Sequence, residues 1–177
     1  MIIEETKLPG AFVVTPERHV DDRGHFARAW CVDEFAAHGL TASWVQSNVS
    51  YNRRAGTLRG LHYQADPRPE TKLVRCTRGA VYDVIVDLRP ESPTHRQWTA
   101  VELTEHNGVA AYVPAGFAHG FQTLVDDTEL CYEMSEYYVP ELARGVRWDD
   151  PVLGITWPAC DRRVISERDL ALPGLRT

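Results

Sequence analysis

Runs rich in Val, Thr, Tyr and Phe, cut by turn residues, constrain this chain more than anything else in its sequence. They are AFVVTP, LVRCTRGAVYDVIVDLR, WTAVELT, VAAYVPAGFAHGFQTL and ELCYEMSEYYV. Such residues suit pleated, half-buried strands. Arg78-Gly79, Pro90 to Pro93, Asn107-Gly108 and Asp126-Asp127 punctuate them. Asn107-Gly108 predicts a hairpin. Short strands at close spacing predict an all-β sandwich or barrel. Helix signals are few. CVDEFAAHGL has an acidic start, apolar residues at Val32, Phe35 and Ala36, and Gly39 as a stop. Ser166 is an N-cap candidate with Asp169 three residues on. The core barrel is expected from about residue 45 to residue 140, with the first stretch as an added strand pair. The last stretch, with Trp148 and Trp157, is expected to fold back over the barrel. The 177 residues suit a single domain, 1–177.

Net charge is −6, which argues against a general nucleic-acid binder. An acidic chain that binds an anionic ligand must gather its cations locally, so the arginines are read by position. Cys31, Cys76, Cys131 and Cys160 form no CxxC and fit no zinc spacing. Each sits in or beside an apolar run and is read as a small buried residue. The opening MIIEETKLPG lacks the basic and apolar regions of a signal peptide. No stretch approaches bilayer-spanning length. The expectation is a cytoplasmic protein with no membrane or nucleic-acid partner.

Thr57-Leu58-Arg59-Gly60-Leu61-His62-Tyr63-Gln64 is the densest stretch for chemistry. As a strand it alternates faces, and a bulge at Gly60 would bring Arg59 and His62 to one side. Taken alone, His62 is slightly better read as a core histidine satisfied by hydrogen bonds. Lys72 opens the next apolar strand. It is either a solvated edge lysine or, if it shares a cavity with His62, an oxyanion donor. Tyr132 is a candidate acid, or an ordinary hydrogen-bonded core tyrosine. Asp169 could orient His62, although its spacing alone favours an exposed cap residue. No GxGxxG or P-loop is present.

Pro114-Ala115-Gly116-Phe117-Ala118-His119 resembles the second motif of cupin barrels, where a turn precedes a histidine aimed inward. Metal cupins carry two histidines and a glutamate at their first motif. Here that place reads His62-Tyr63-Gln64, a poor metal set, so neither metal nor cofactor is expected. The implied fold is a cupin-type jelly-roll β-barrel with a few short helices.

The whole chain resembles the dTDP-4-dehydrorhamnose 3,5-epimerase family. The matching text includes Asp22 to Phe26, Gln46 to Asn48, Leu58 to Gln64, Lys72 to Val74, Asp83 to Arg89, Ser92 to Thr94 and Pro114 to Phe121. It continues through Tyr132, Trp148 to Pro151, Ile155 to Pro158 and Ser166 to Asp169. The resemblance implies epimerisation of a nucleotide-linked 4-keto-6-deoxyhexose at C3, C5 or both. It makes His62 the base, Asp169 its partner, Tyr132 the acid and Lys72 the group beside the ketone. It places Arg23 and Arg59 at the diphosphate, and Phe26, Gln46, Asn48, His119 and Tyr138 along nucleotide and sugar. Arg168 stands where the family carries a lysine. The family is a homodimer whose N-terminal strands cross to the partner. Many members carry glutamates where this chain has Arg28 and Ala143, which bears on substrate identity. Three alternatives stand beside this reading. One is an epimerase for C3 or C5 alone on a CDP- or GDP-linked sugar. The others are a metal-dependent cupin enzyme and a non-catalytic sugar-binding cupin.

Overall fold

The computed structural model describes residues 1–41 and 43–175. In chain order its elements are β1 (Ile2–Glu5), β2 (Phe12–Thr15), β3 (Arg18–Asp21), β4 (Gly24–Ala27), α1 (Val32–Ala37), β5 (Gln46–Asn52), β6 (Leu58–Gln64) and β7 (Lys72–Arg78). There follow β8 (Ala80–Asp87), β9 (Trp98–Thr104), β10 (Ala110–Val113), β11 (Phe117–Thr123), β12 (Thr128–Met134), β13 (Ala143–Gly145) and α2 (Glu167–Leu170). One sheet has the order β1-β2-β10-β7-β12-β5, and the other β13-β6-β11-β8-β9. From β5 to β8 and from β9 to β12, each successive strand lies in the opposite sheet, as in a jelly roll.

Strand alternation sorts the apolar residues into layers. Val74, Cys76, Ala111, Val113 and Leu130 from one sheet meet Val81, Ile85, Leu103, Phe117 and Phe121 from the other. Behind the larger sheet, Leu73, Ala110 and Tyr112 pack on Phe35 of α1. Behind the smaller sheet, Leu61, Val84, Val86 and Ala118 pack on Val146, Leu153, Ile155 and Trp157. The closing segment therefore does fold back, and Gln122 Nε2 ties it down by donating to the Pro158 carbonyl at 3.0 Å.

Several expectations need correction. The jelly roll does not start at residue 45, because β2 pairs with β10 and β1 with β2. Asn107-Gly108 makes a turn but no hairpin: β9 and β10 belong to different sheets. In α1 only Phe35 is buried; Val32 and Ala36 are exposed. Of the cysteines only Cys76 is buried, and burial pushes its thiol up to about 11. Cys131 falls on the outer face of β12, and Cys160 lies exposed in the closing segment.

Among the described residues β3 and β4 pair only with each other. This hairpin exposes Val20 and Phe26, at 76% and 73%.

Candidate active site

β6 supplies the core of the site, and its geometry depends on one irregularity. His62 lies opposite His119 on β11, but Phe121 lies opposite Arg59, so three steps on β6 match two on β11. This bulge turns both Arg59 and His62 toward the cleft while Leu61 packs behind the sheet. It needs glycine. Gly60 has φ +121°, and a Cβ there would stand 2.6 Å from Gly120 Cα.

Two connected lobes of about 460 and 450 Å³ form the cleft and share Arg59, His62, Lys72 and Tyr132. His119 and Phe121 line the first, with Ser50 and Tyr51 of β5. Gln46, Asn48, Tyr138, Arg168 and Asp169 line the second. Most of the residues singled out in the sequence thus meet in one place. Arg23 and Phe26 do not. They sit on the β3–β4 hairpin, where the Arg23 side chain is 90% exposed and pairs with Asp21. Arg28 is also outside the cleft, paired with Glu34 at 2.7 Å.

His62 Nε2 lies 2.7 Å from Asp169 Oδ1, and the Gly60 N–H donates to Asp169 Oδ2 at 3.2 Å. Asp169 is 4% exposed. Burial alone would raise its carboxyl, but the bond to His62, the His62 charge, the Gly60 N–H and Arg168 outweigh burial and hold it below the usual carboxylate range. The exposed-cap reading of Asp169 therefore fails. Its own N–H donates to Ser166 Oγ at 3.1 Å, which starts α2 and leaves the carboxylate turned inward.

Tyr132 comes from the opposite sheet. Burial pushes its phenol above the ordinary value; Arg59 pulls it down by less. Its hydroxyl therefore keeps its proton through the neutral range. Lys72 Nζ pairs with Glu70 at 2.8 Å and donates to the His62 carbonyl at 3.4 Å. Arg59 donates to Asn52 Oδ1 at 2.8 Å, and Arg144 to the carbonyls of Glu141 and Ala143 at 2.9 Å. Neither has a carboxylate in an ion pair among the described residues, so their charge is open to an anionic ligand.

Sequence reasoning missed Asp83, which is fully buried and holds His119 Nε2 at 2.7 Å. A lone charge in the middle of the apolar run AVYDVIVD was the available signal. It also missed Glu70 and Arg144, both lining the second lobe. Among the described residues no group of three His, Cys, Asp or Glu is placed to hold a metal ion. No helix of the structure is long and apolar enough to cross a membrane.

A constellation of histidine–carboxylate pair, lysine and tyrosine around one cleft can take a proton from carbon, stabilise the oxyanion and return a proton from another direction. Comparison with known proteins agrees. The profile of the family described as dTDP-4-dehydrorhamnose 3,5-epimerase matches residues 5–177. A dTDP-4-dehydrorhamnose 3,5-epimerase of Sinorhizobium fredii is 42% identical over 175 residues, covering 99% of this chain and 90% of that protein. The Bacillus anthracis enzyme, solved with TDP and PPi bound, is 44% identical with a TM-score of 0.94, covering 98% of this chain and 99% of that one. A 3'-monoepimerase of Streptomyces bikiniensis, solved with dTDP-quinovose, is 35% identical with a TM-score of 0.90, covering 97% and 86%. The chain belongs to the dTDP-4-dehydrorhamnose 3,5-epimerase family of isomerases.

Proposed function

We propose that this chain binds a dTDP-linked 4-keto-6-deoxyhexose and inverts the carbons flanking the ketone, C3 and C5. The observation that carries this reading is the placement of His62 and Tyr132 on opposite sheets of one cleft, with Lys72 lining both of its lobes.

The ketone makes the protons on its two neighbouring carbons the only acidic ones on the ring. His62 takes such a proton, a step worth about 10²–10⁴-fold for a well-placed base. Asp169 fixes the imidazole and stabilises the imidazolium. The C–H electron pair moves into the enolate, whose negative oxygen meets Lys72; a donor placed there is worth about 3–4 kcal/mol. Tyr132 then gives its proton to the same carbon from the other face, and the configuration inverts. Arg59 and Arg168 bind the diphosphate, with Arg23 joining them from a second subunit. Gln46, Asn48 and Tyr138 receive the nucleoside, and His119 the sugar. Every step is a proton transfer between a named side chain and the sugar, so the reaction is redox-neutral and requires no cofactor or metal.

The working form is a homodimer in the cytoplasm. Support for the dimer comes from the β3–β4 hairpin, which presents Phe26 and Arg23 outward. Support for the compartment comes from four free cysteines.

A second reading, inversion at C3 alone, draws on the likeness to the Streptomyces bikiniensis monoepimerase. Proton NMR in D2O with dTDP-4-keto-6-deoxyglucose separates the two. Deuterium at C3 and C5 with inverted product is the expected result. Deuterium at C3 only selects the second reading. Exchange with the CDP- or GDP-linked sugar but not with the dTDP-linked one would assign a different nucleotide, and no exchange with any of them would overturn the proposal.

A further inference from the structure

We propose that Glu70 is a positioning residue for Lys72, aiming the lysine ammonium so that one N–H is left for the substrate oxyanion. The inference rests on the role given to Lys72 above.

An ammonium has three donors and no acceptor. Lys72 commits one to Glu70 Oε1 at 2.8 Å and one to the His62 carbonyl at 3.4 Å. Lys72 lines both lobes of the cleft, so the third donor is the one a ligand can take. Because the second bond goes to the backbone of His62, the lysine is located relative to the proposed base itself. Glu70 closes this arrangement from the other side.

Glu70 is a poor choice as mere scaffolding. Its side chain is 5% exposed, and its Oε2 is buried with no hydrogen-bond partner among the described residues. A buried carboxylate with one oxygen unpaired is a liability to stability. Lys72 is the only ion-pair partner of Glu70 among the described residues. Period-two alternation puts the two residues on the same side of the chain where β7 begins. A short, buried pair between them fixes a side chain that otherwise carries four rotatable bonds.

Steady-state kinetics of three variants test this, with thermal unfolding run alongside to establish that each is folded. Glu70→Gln keeps the size and one acceptor but removes the charge. It should lower kcat roughly tenfold, part of what a whole oxyanion donor is worth, and leave KM within about twofold. Lys72→Met should lower kcat further. In the Lys72→Met background, adding Glu70→Gln should change kcat no more, because a residue that acts only through Lys72 has nothing left to position. Glu70→Asp, one methylene shorter with its charge kept, serves if Glu70→Gln does not fold, and should show the same dependence on Lys72. If Lys72→Met turns over normally, the reading of Lys72 itself is wrong. If Lys72→Met is impaired while Glu70→Gln matches the parent, only the inference about Glu70 is overturned. Equal losses from Glu70→Gln in both backgrounds would also overturn it.

Discussion

His62 reaches the cleft with Nε2 already committed to Asp169, which leaves Nδ1 as the atom available to a substrate. The proposed base and acid can be separated by what each removal spares. His62→Ala should abolish both inversion and solvent exchange, since no enolate forms. Tyr132→Phe leaves a base that can take a proton and return it on the same face. It should still exchange deuterium into the sugar while yielding little inverted product, and mass spectrometry with NMR reads both. Complete loss of exchange in Tyr132→Phe would instead make the phenol a second oxyanion donor beside Lys72. At this scale the sequence was informative for the motifs of β6, β7 and β11: His62, Arg59, Lys72 and His119 all line the cleft. Asp169 was not legible from spacing. Its partner lies 107 positions earlier, and only the returning closing segment brings the two together.

β6 and β11 cross at a pair of glycines, and the cleft depends on that close approach. A Cβ on Gly120 would stand 2.7 Å from the Arg59 carbonyl, and one on Gly60 would meet backbone as well. Backbone cannot swing aside as a side chain end can. Gly60→Ala should therefore cost on the order of 2–3 kcal/mol from strain and overpacking. It should also lower activity in the protein that remains folded, because the bulge aims Arg59 and His62 together. Denaturant unfolding and kcat on one preparation check both. Element identity was largely readable here, since most predicted strand runs became strands. Partner choice was not. LVRCTRGAVYDVIVDLR breaks at the expected Arg78-Gly79 turn, yet nothing in it tells that its halves enter different sheets. Asn107-Gly108 misled for the same reason: a turn signal fixes a local reversal, while sheet membership is decided by long-range packing.

At the scale of the whole molecule, the β3–β4 hairpin is the part whose purpose its own subunit does not explain. Among the described residues it pairs with no other strand, and it exposes Val20 and Phe26. Replacing residues 18–27 by a short polar linker should leave β1 and β2 in their sheet and the fold intact. On the proposed dimer, that variant should show a lower mass in light scattering and a raised KM. A fully active dimer would count against a role for the hairpin at the neighbouring cleft.

The two-sheet placement of base and acid also has a consequence for the rhythm of turnover. On the proposed roles, a proton leaves the sugar toward the smaller sheet and another arrives from the larger one. Each inversion thus finishes with a surplus proton on the imidazole and a missing one on the phenol. The machine is then loaded the wrong way round. It cannot act on the second carbon of the same bound sugar until the imidazolium has lost its proton and the phenolate has regained one. Burial makes the tyrosinate a costly state, which drives its half of the recovery. An enzyme that inverts two must recharge this pair between the strokes, and that recharging is itself a step of the cycle.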